Sequence, residues 1–202
     1  MSRFLAALGS ARPVPAGGSA AAAATAMAAG LVEKSARLSL THWIGAANIG
    51  KRAAVLREQA ALMIEADATA YTDFMEATRA ARGHHTVERE RIVGPARKRI
   101  VEVPLAIVRA AAEVAGLGVQ MVEHGNPNLR SDAVTAVHLA AAAAEGAAAT
   151  IAADVKAATD ERLTEARSLA KDATERARTL RAPGHAGGRG RGPARSAGSG
   201  RR

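Results

Sequence analysis

The sequence predicts an all-α protein, an up-and-down bundle of long antiparallel helices. No stretch alternates apolar and polar residues long enough to read as a strand, and no Val/Ile/Thr/Tyr cluster is bounded by turns. Apolar residues instead recur at three- and four-residue steps along almost the whole chain. The apolar content is carried by alanine, the best intrinsic helix former, with one Trp, one Tyr and two Phe. Alanine offers little area to bury, so such helices must approach each other closely and gain from a partner subunit that completes the core.

A short helix is predicted over Arg3–Leu8, before a break at Gly9–Gly18 that is rich in proline and glycine. Ser19 is a plausible N-cap for a long helix from Ala20 to about Trp43, and Gly45–Gly50 marks the next interruption. A third helix is expected over Lys51–Arg82, its buried face made of Val55, Leu56, Leu62, Met63, Ala66, Ala70, Phe74 and Met75. Proline inside a helix removes a backbone bond, so Pro95 and Pro104 predict two elements, Val87–Val101 and Pro104–Glu123, with Pro104 at a helix start. The loop Gly125–Arg130 follows, then a helix capped by Ser131 or Asp132 that runs to about Ala153. A last helix, charged on its outer face, is expected over Val155–Leu180.

A chain of 202 residues suits one domain with a sizeable core, here residues 1–181. Residues 182–202 form a low-complexity Arg/Gly-rich tail, expected to be disordered. Five arginines in the tail (Arg189, Arg191, Arg195, Arg201 and Arg202) account for more than half of the +9 net charge and leave a mildly basic body. Nucleic acid is not an expected partner: only the tail would support it, and aromatics for base stacking are nearly absent. The opening residues are too weakly apolar for a signal peptide. Glu33, Lys34 and Arg37 interrupt the roughly 20 apolar residues that a membrane span beginning at the Ala20–Ala24 run would need. A cytoplasmic protein without membrane contact is expected. The absence of cysteine excludes disulfides and thiolate metal sites. His84, His85, His124 and His138 lack the helical spacing of a metal site, so no metal is expected.

Three segments in order carry a resemblance. The run Pro13-Val14-Pro15-Ala16-Gly17-Gly18-Ser19-Ala20 looks like a PxPGGGS entry to an alanine-rich helix. Asp67, within Ile64-Glu65-Ala66-Asp67-Ala68-Thr69-Ala70-Tyr71, falls in a DADAxAF-like stretch, and Gly125-Asn126 with Ser131-Asp132 matches a GNxxxxSD loop. Val103-Pro104-Leu105 adds a VPL match. Together they resemble the cyclodeaminase half of formiminotransferase-cyclodeaminase and its stand-alone bacterial relatives, some of which are methenyltetrahydrofolate cyclohydrolases. The resemblance implies an all-α homodimer that binds a tetrahydrofolate derivative as substrate, with no separate cofactor. The family's first loop glycine is Ala16 here, and its two late asparagines fall at Thr150 and Asp154.

That chemistry either expels ammonia from a formimino group as N10 closes a ring, or opens a methenyl bridge with water. Each passes through a tetrahedral carbon and needs a proton carried to or from nitrogen or oxygen. A carboxylate near apolar walls has a raised pKa and can do this at neutral pH. By composition alone Asp67 is a surface or helix-pairing residue; the resemblance makes it the catalytic candidate. Glu65 points elsewhere on the helix. Pro15, Gly17, Gly18 and Ser19 lead into a helix N-terminus that suits an anion or a carbonyl oxygen, and equally suits a plain helix start. Asn126, Arg130, Ser131 and Asp132 are the other expected substrate-binding residues, although such side chains also serve turns and caps without any ligand. Cyclodeaminase is the leading reading. Cyclohydrolase, or a non-catalytic helical interaction protein with the same fold, are the alternatives.

Overall fold

The computed structural model describes residues 1–155 and 157–181, and none of these lies in a strand. The Arg/Gly-rich segment 182–202, read above as a tail, lies outside the described residues. The order is α1 (Ser2–Leu8), α2 (Gly17–Arg37), α3 (Ala46–Ala80), α4 (Thr86–His124), a 3-10 turn (Pro127–Leu129), α5 (Arg130–Asp154) and α6 (Glu161–Arg181). The architecture is the expected all-α bundle.

Helix α5 occupies the middle, packed against α2, α4 and α6, while α3 closes the far side against α2 and α4. The alanine-rich sequence explains how this is possible. Ala22, Ala28 and Ala29 of α2 and Ala136, Ala140, Ala144 and Ala147 of α5 are fully buried, and methyl groups let the backbones come close. Because α5 is covered on several sides, it needs no single apolar stripe. By length and composition α5 with its preceding turn could cross a bilayer, yet half of its apolar window is buried inside the bundle.

Several boundaries depart from expectation. Helix α2 stops at Arg37, short of Trp43, where the Ser39 hydroxyl turns back to donate to the Ser35 carbonyl at 2.7 Å. Helix α3 already begins at Ala46, so Gly50 lies inside it rather than in a break. A Cβ on Gly50 would stand 3.3 Å from that of Ala36, so this glycine serves the approach of α2 to α3. The two helices expected around Pro104 are one continuous helix that contains both Pro95 and Pro104. An interior proline costs about 3 kcal/mol. Its buried face (Val93, Ile100, Val101, Leu105, Val108) runs through both prolines, and each such side chain contributes about 1.5–3 kcal/mol on burial, so packing outweighs the breaks.

Neither Ser131 nor Asp132 caps α5, whose N-cap is Leu129 without a side-chain bond. Helix α6 starts at Glu161 rather than Val155. Asp160 accepts the Arg162 backbone N–H at 2.9 Å and its guanidinium at 2.7 Å, which holds the Asp160 carboxyl down at about 2. On α3 the expected buried face is incomplete, since Val55, Met75 and above all Leu62, 75% exposed, face outward.

The α4–α5 contact is tight at Gly118, where a Cβ would stand 2.6 Å from Val137 Cγ2, whereas Gly146 has open space around it. Gly118→Ala is therefore expected to destabilise the protein by about 1–3 kcal/mol. Gly146→Ala is expected to stabilise it by about 0.5–1 kcal/mol. Urea unfolding of the two variants checks both signs.

Candidate functional site

The site begins where α2 begins. The chain enters through a cis Val14–Pro15 peptide, Ala16 is the extended N-cap, and Gly17 is the first helical residue. Ser19 is therefore not the N-cap. It sits in the first turn, fully buried, with its side chain turned toward α3. Its Oγ lies 3.0 Å from the Ile64 carbonyl oxygen and 2.9 Å from Asp67 Oδ2. A hydroxyl has one proton to donate and two lone pairs. When Asp67 is ionised Ser19 donates to it; when Asp67 is protonated Ser19 can accept from it and donate to Ile64. Both states are satisfied, which suits a group that gains and loses a proton.

Gly18 makes room for this contact. A Cβ there would lie 2.6 Å from Asp67 Cγ, so the carboxyl rests directly on the bare α2 backbone. The first turn of α2 presents free N–H groups and the positive end of the helix dipole to it.

Asp67 borders a cavity of about 360 Å³. Pro13, Val14, Ala16, Gly17 and Gly18 form one wall, Asp67 and Tyr71 of α3 and Ile100 of α4 the next, and Thr150, Ala153 and Asp154 of α5 the last. Thr150 and Asp154 are four residues apart and so share a helix face. Sequence reasoning met these two only as departures from a pattern; their i,i+4 spacing at the end of an apolar helix was the available signal. It did not select Tyr71 at all.

Burial pushes the Asp67 carboxyl above its ordinary range, while hydrogen bonds from the Ser19 hydroxyl and backbone N–H pull it back. Burial also raises Asp154, and the negative charge of Asp67 raises it further. Among the described residues no group of three or more His, Asp or Glu could hold a metal ion.

The structure thus brings Gly17, Gly18, Ser19 and Asp67 together, with Pro15 in the entry segment beside them and Glu65 exposed elsewhere. Asn126, Arg130, Ser131 and Asp132 do not join them in this chain. Asn126 accepts the Asn128 N–H at 3.0 Å and donates through Nδ2 to the Leu38 carbonyl at 3.3 Å. Arg130 donates to the Val122 carbonyl, and the Ser131 carbonyl accepts from Thr135. Asp132 pairs with Lys34 at 2.7 Å. Lys34 lies fifteen residues beyond Ser19 on α2, about 22 Å along the helix. These side chains stitch the α4–α5 loop to the far end of α2.

An all-helical bundle with two carboxylates in one cavity, the first seated on a helix N-terminus, defines a protein built for proton transfer or for holding a polar ligand. The family model described as formiminotransferase-cyclodeaminase matches residues 1–173, and the chain belongs to that family. Among solved structures, formiminotetrahydrofolate cyclodeaminase from Thermotoga maritima shares the fold, with a TM-score of 0.76 at 21% identity over 89% of this chain and 94% of that one. No curated protein matches the chain.

Both cavity carboxyls bind protons more tightly in the folded state. Their contribution to stability is full below the ordinary carboxylate range and is lost as pH rises through the raised values. Asp154→Asn should therefore raise the thermal midpoint at pH 8 and leave it close to wild type at pH 4. A gap that is widest at pH 4 would contradict the assigned direction.

Proposed function

We propose that the chain converts 5-formiminotetrahydrofolate to 5,10-methenyltetrahydrofolate with release of ammonia. Family membership supports this, and so does the placement of Asp67, a half-buried carboxyl whose hydrogen-bond partner accommodates both of its protonation states. In this reading N10 of the folate adds to the formimino carbon, the C–N bond to the imino nitrogen breaks, and a proton must travel from N10 to the departing nitrogen. Asp67 carries that proton. The folate is substrate, and acid–base groups of the chain suffice for the step without a further cofactor.

Hydrolysis of the methenyl bridge to 10-formyltetrahydrofolate would use the same shuttle, so the assay must separate the two. Purified protein is supplied with 5-formiminotetrahydrofolate and the absorbance of the methenyl product is followed, beside a parallel decay assay on the methenyl compound. The expected result is methenyl formation by wild type and a loss of about 100-fold or more in Asp67→Asn, the scale of general acid–base catalysis. Protein that accelerates only methenyl decay is a cyclohydrolase. Protein that does neither is a helical interaction protein.

The same reading includes a cytoplasmic homodimer. The groove between α3 and α4 has a floor of Leu56, Met63, Ala66, Ala106 and Ala110 with Arg52, Gln59, Arg109 and Glu113 also lining it, and the exposure of Leu62 leaves apolar surface that a second copy would cover. Light scattering should give twice the 20.6 kDa chain mass, and Leu62→Glu should reduce it to one. A wild-type mass of one chain removes the dimer.

A further inference from the structure

We propose that Asp154 is the second proton-handling residue of this cavity, an acid that works with Asp67 as the base. This rests on the functional reading above and assigns a role to a residue that reading does not use. The argument comes from where the two carboxyls sit. Asp67 rests on the first turn of α2, against Gly18 and within hydrogen-bond reach of Ser19. Free N–H groups and the positive end of a helix dipole favour a negative charge there.

Asp154 has the opposite surroundings. It is the last residue of α5, at the negative end of that helix, and no hydrogen bond from a described residue lowers its proton affinity. The chain leaves the helix at Val155 in an extended conformation. A partly buried carboxylate at a helix C-terminus that shares a cavity with a second carboxylate is a poor place for charge, and a good place for a proton. Burial and the charge of Asp67 act in the same direction. Burial raises both carboxyls, but hydrogen bonds from Ser19 pull Asp67 back while the charge of Asp67 raises Asp154 further, and this difference sets Asp154 as the acid and Asp67 as the base.

Among the described residues, little else nearby would disturb this division. The titratable groups that line the cavity with Asp154 are Asp67 and Tyr71 of α3. The entry segment contributes none, and α4 contributes Ile100. The charged residues of α4 just before Ile100 are engaged, Arg97 with Glu90 and Arg99 with Asp73, each at 2.7 Å, and Lys98 with Glu102 at 3.4 Å. At the start of α6, Arg162 is held by Asp160.

In the proposed reaction Asp154 gives its proton to the imino nitrogen as the N10–carbon bond forms. Asp67 takes the N10 proton and passes it to the same nitrogen, the carbon–nitrogen bond breaks, and ammonia leaves. The cationic methenyl product then lies between two carboxylates, which favour it electrostatically. Water restores the Asp154 proton, so one proton is consumed per turnover, as conversion of a neutral amidine to a cation and ammonia requires.

The test uses the full chain as wild type, Asp154→Asn and Asp67→Asn, with two readouts. Infrared titration follows the carbonyl band of protonated carboxyl as pH rises above the ordinary carboxylate range. The band should be present in wild type, lost in Asp154→Asn, and retained in Asp67→Asn but titrating at lower pH once the neighbouring charge is gone. A band that survives in Asp154→Asn and vanishes in Asp67→Asn overturns the assignment, as does a wild type with no such band. The second readout is the pH profile of kcat on 5-formiminotetrahydrofolate. Asp154→Asn should lower kcat about 100-fold and remove the alkaline limb, while Asp67→Asn removes the acid limb. Wild-type rate and both limbs retained in Asp154→Asn would also overturn it. If wild type turns over no substrate, the functional reading fails, and the infrared result alone decides whether Asp154 holds the proton.

Discussion

The close approach of helices with small side chains is the constraint on which the rest of this structure depends. A buried methyl contributes only about 0.8 kcal/mol, so a core made largely of alanine must gain through many short contacts between helices. That requirement brings α2 onto both α3 and α5, and puts Gly50 against Ala36 and Gly118 against Val137. The same closeness creates the site. Only because Gly18 lacks a side chain can the Asp67 carboxyl rest on the first turn of α2.

Charge is arranged around this packing with little surplus. Glu33, buried on α2, accepts from Arg37 of its own helix and from Arg57 of α3, so a neutralised carboxylate fixes the α2–α3 contact near the C-terminal end of α2. At the same end Lys34 and Asp132 tie α2 to α5. Asp67 and Asp154 are different. They line a half-open cavity with no basic side chain among its described lining residues, and Ser19 is the hydrogen-bond partner of one of them. Two carboxyls without a cation among those residues, where they cost stability, are the mark of a place shaped for a reaction or a ligand.

Much of the fold was legible in local sequence. Alanine content and periodicity specify helices, and the start of the Thr86 helix and the loop at Gly125 follow from local signals. Three of the departures share one cause. The α4 prolines, the Gly50 interruption and the Ser19 cap were each judged by what a residue does to an isolated helix. Burial of Ile100, Val101 and Leu105 outweighs the prolines, and contact with Ala36 gives Gly50 its place. Ser19 is drawn from a cap to a buried bond with α3.

The sequence by itself determined the helical class and the family, because propensity, periodicity and ordered motifs are local and survive without coordinates. It also marked Asp67 and the Gly17–Ser19 turn as partners in one motif set. Tertiary structure alone decided that Asp154 and Thr150, more than eighty residues further along the chain, face Asp67, and that Asn126 and Asp132 lie at the opposite end of α2. The physical reason is that spacing along one helix reports which residues share a face. Which face of another helix lies opposite depends on how closely every pair can pack.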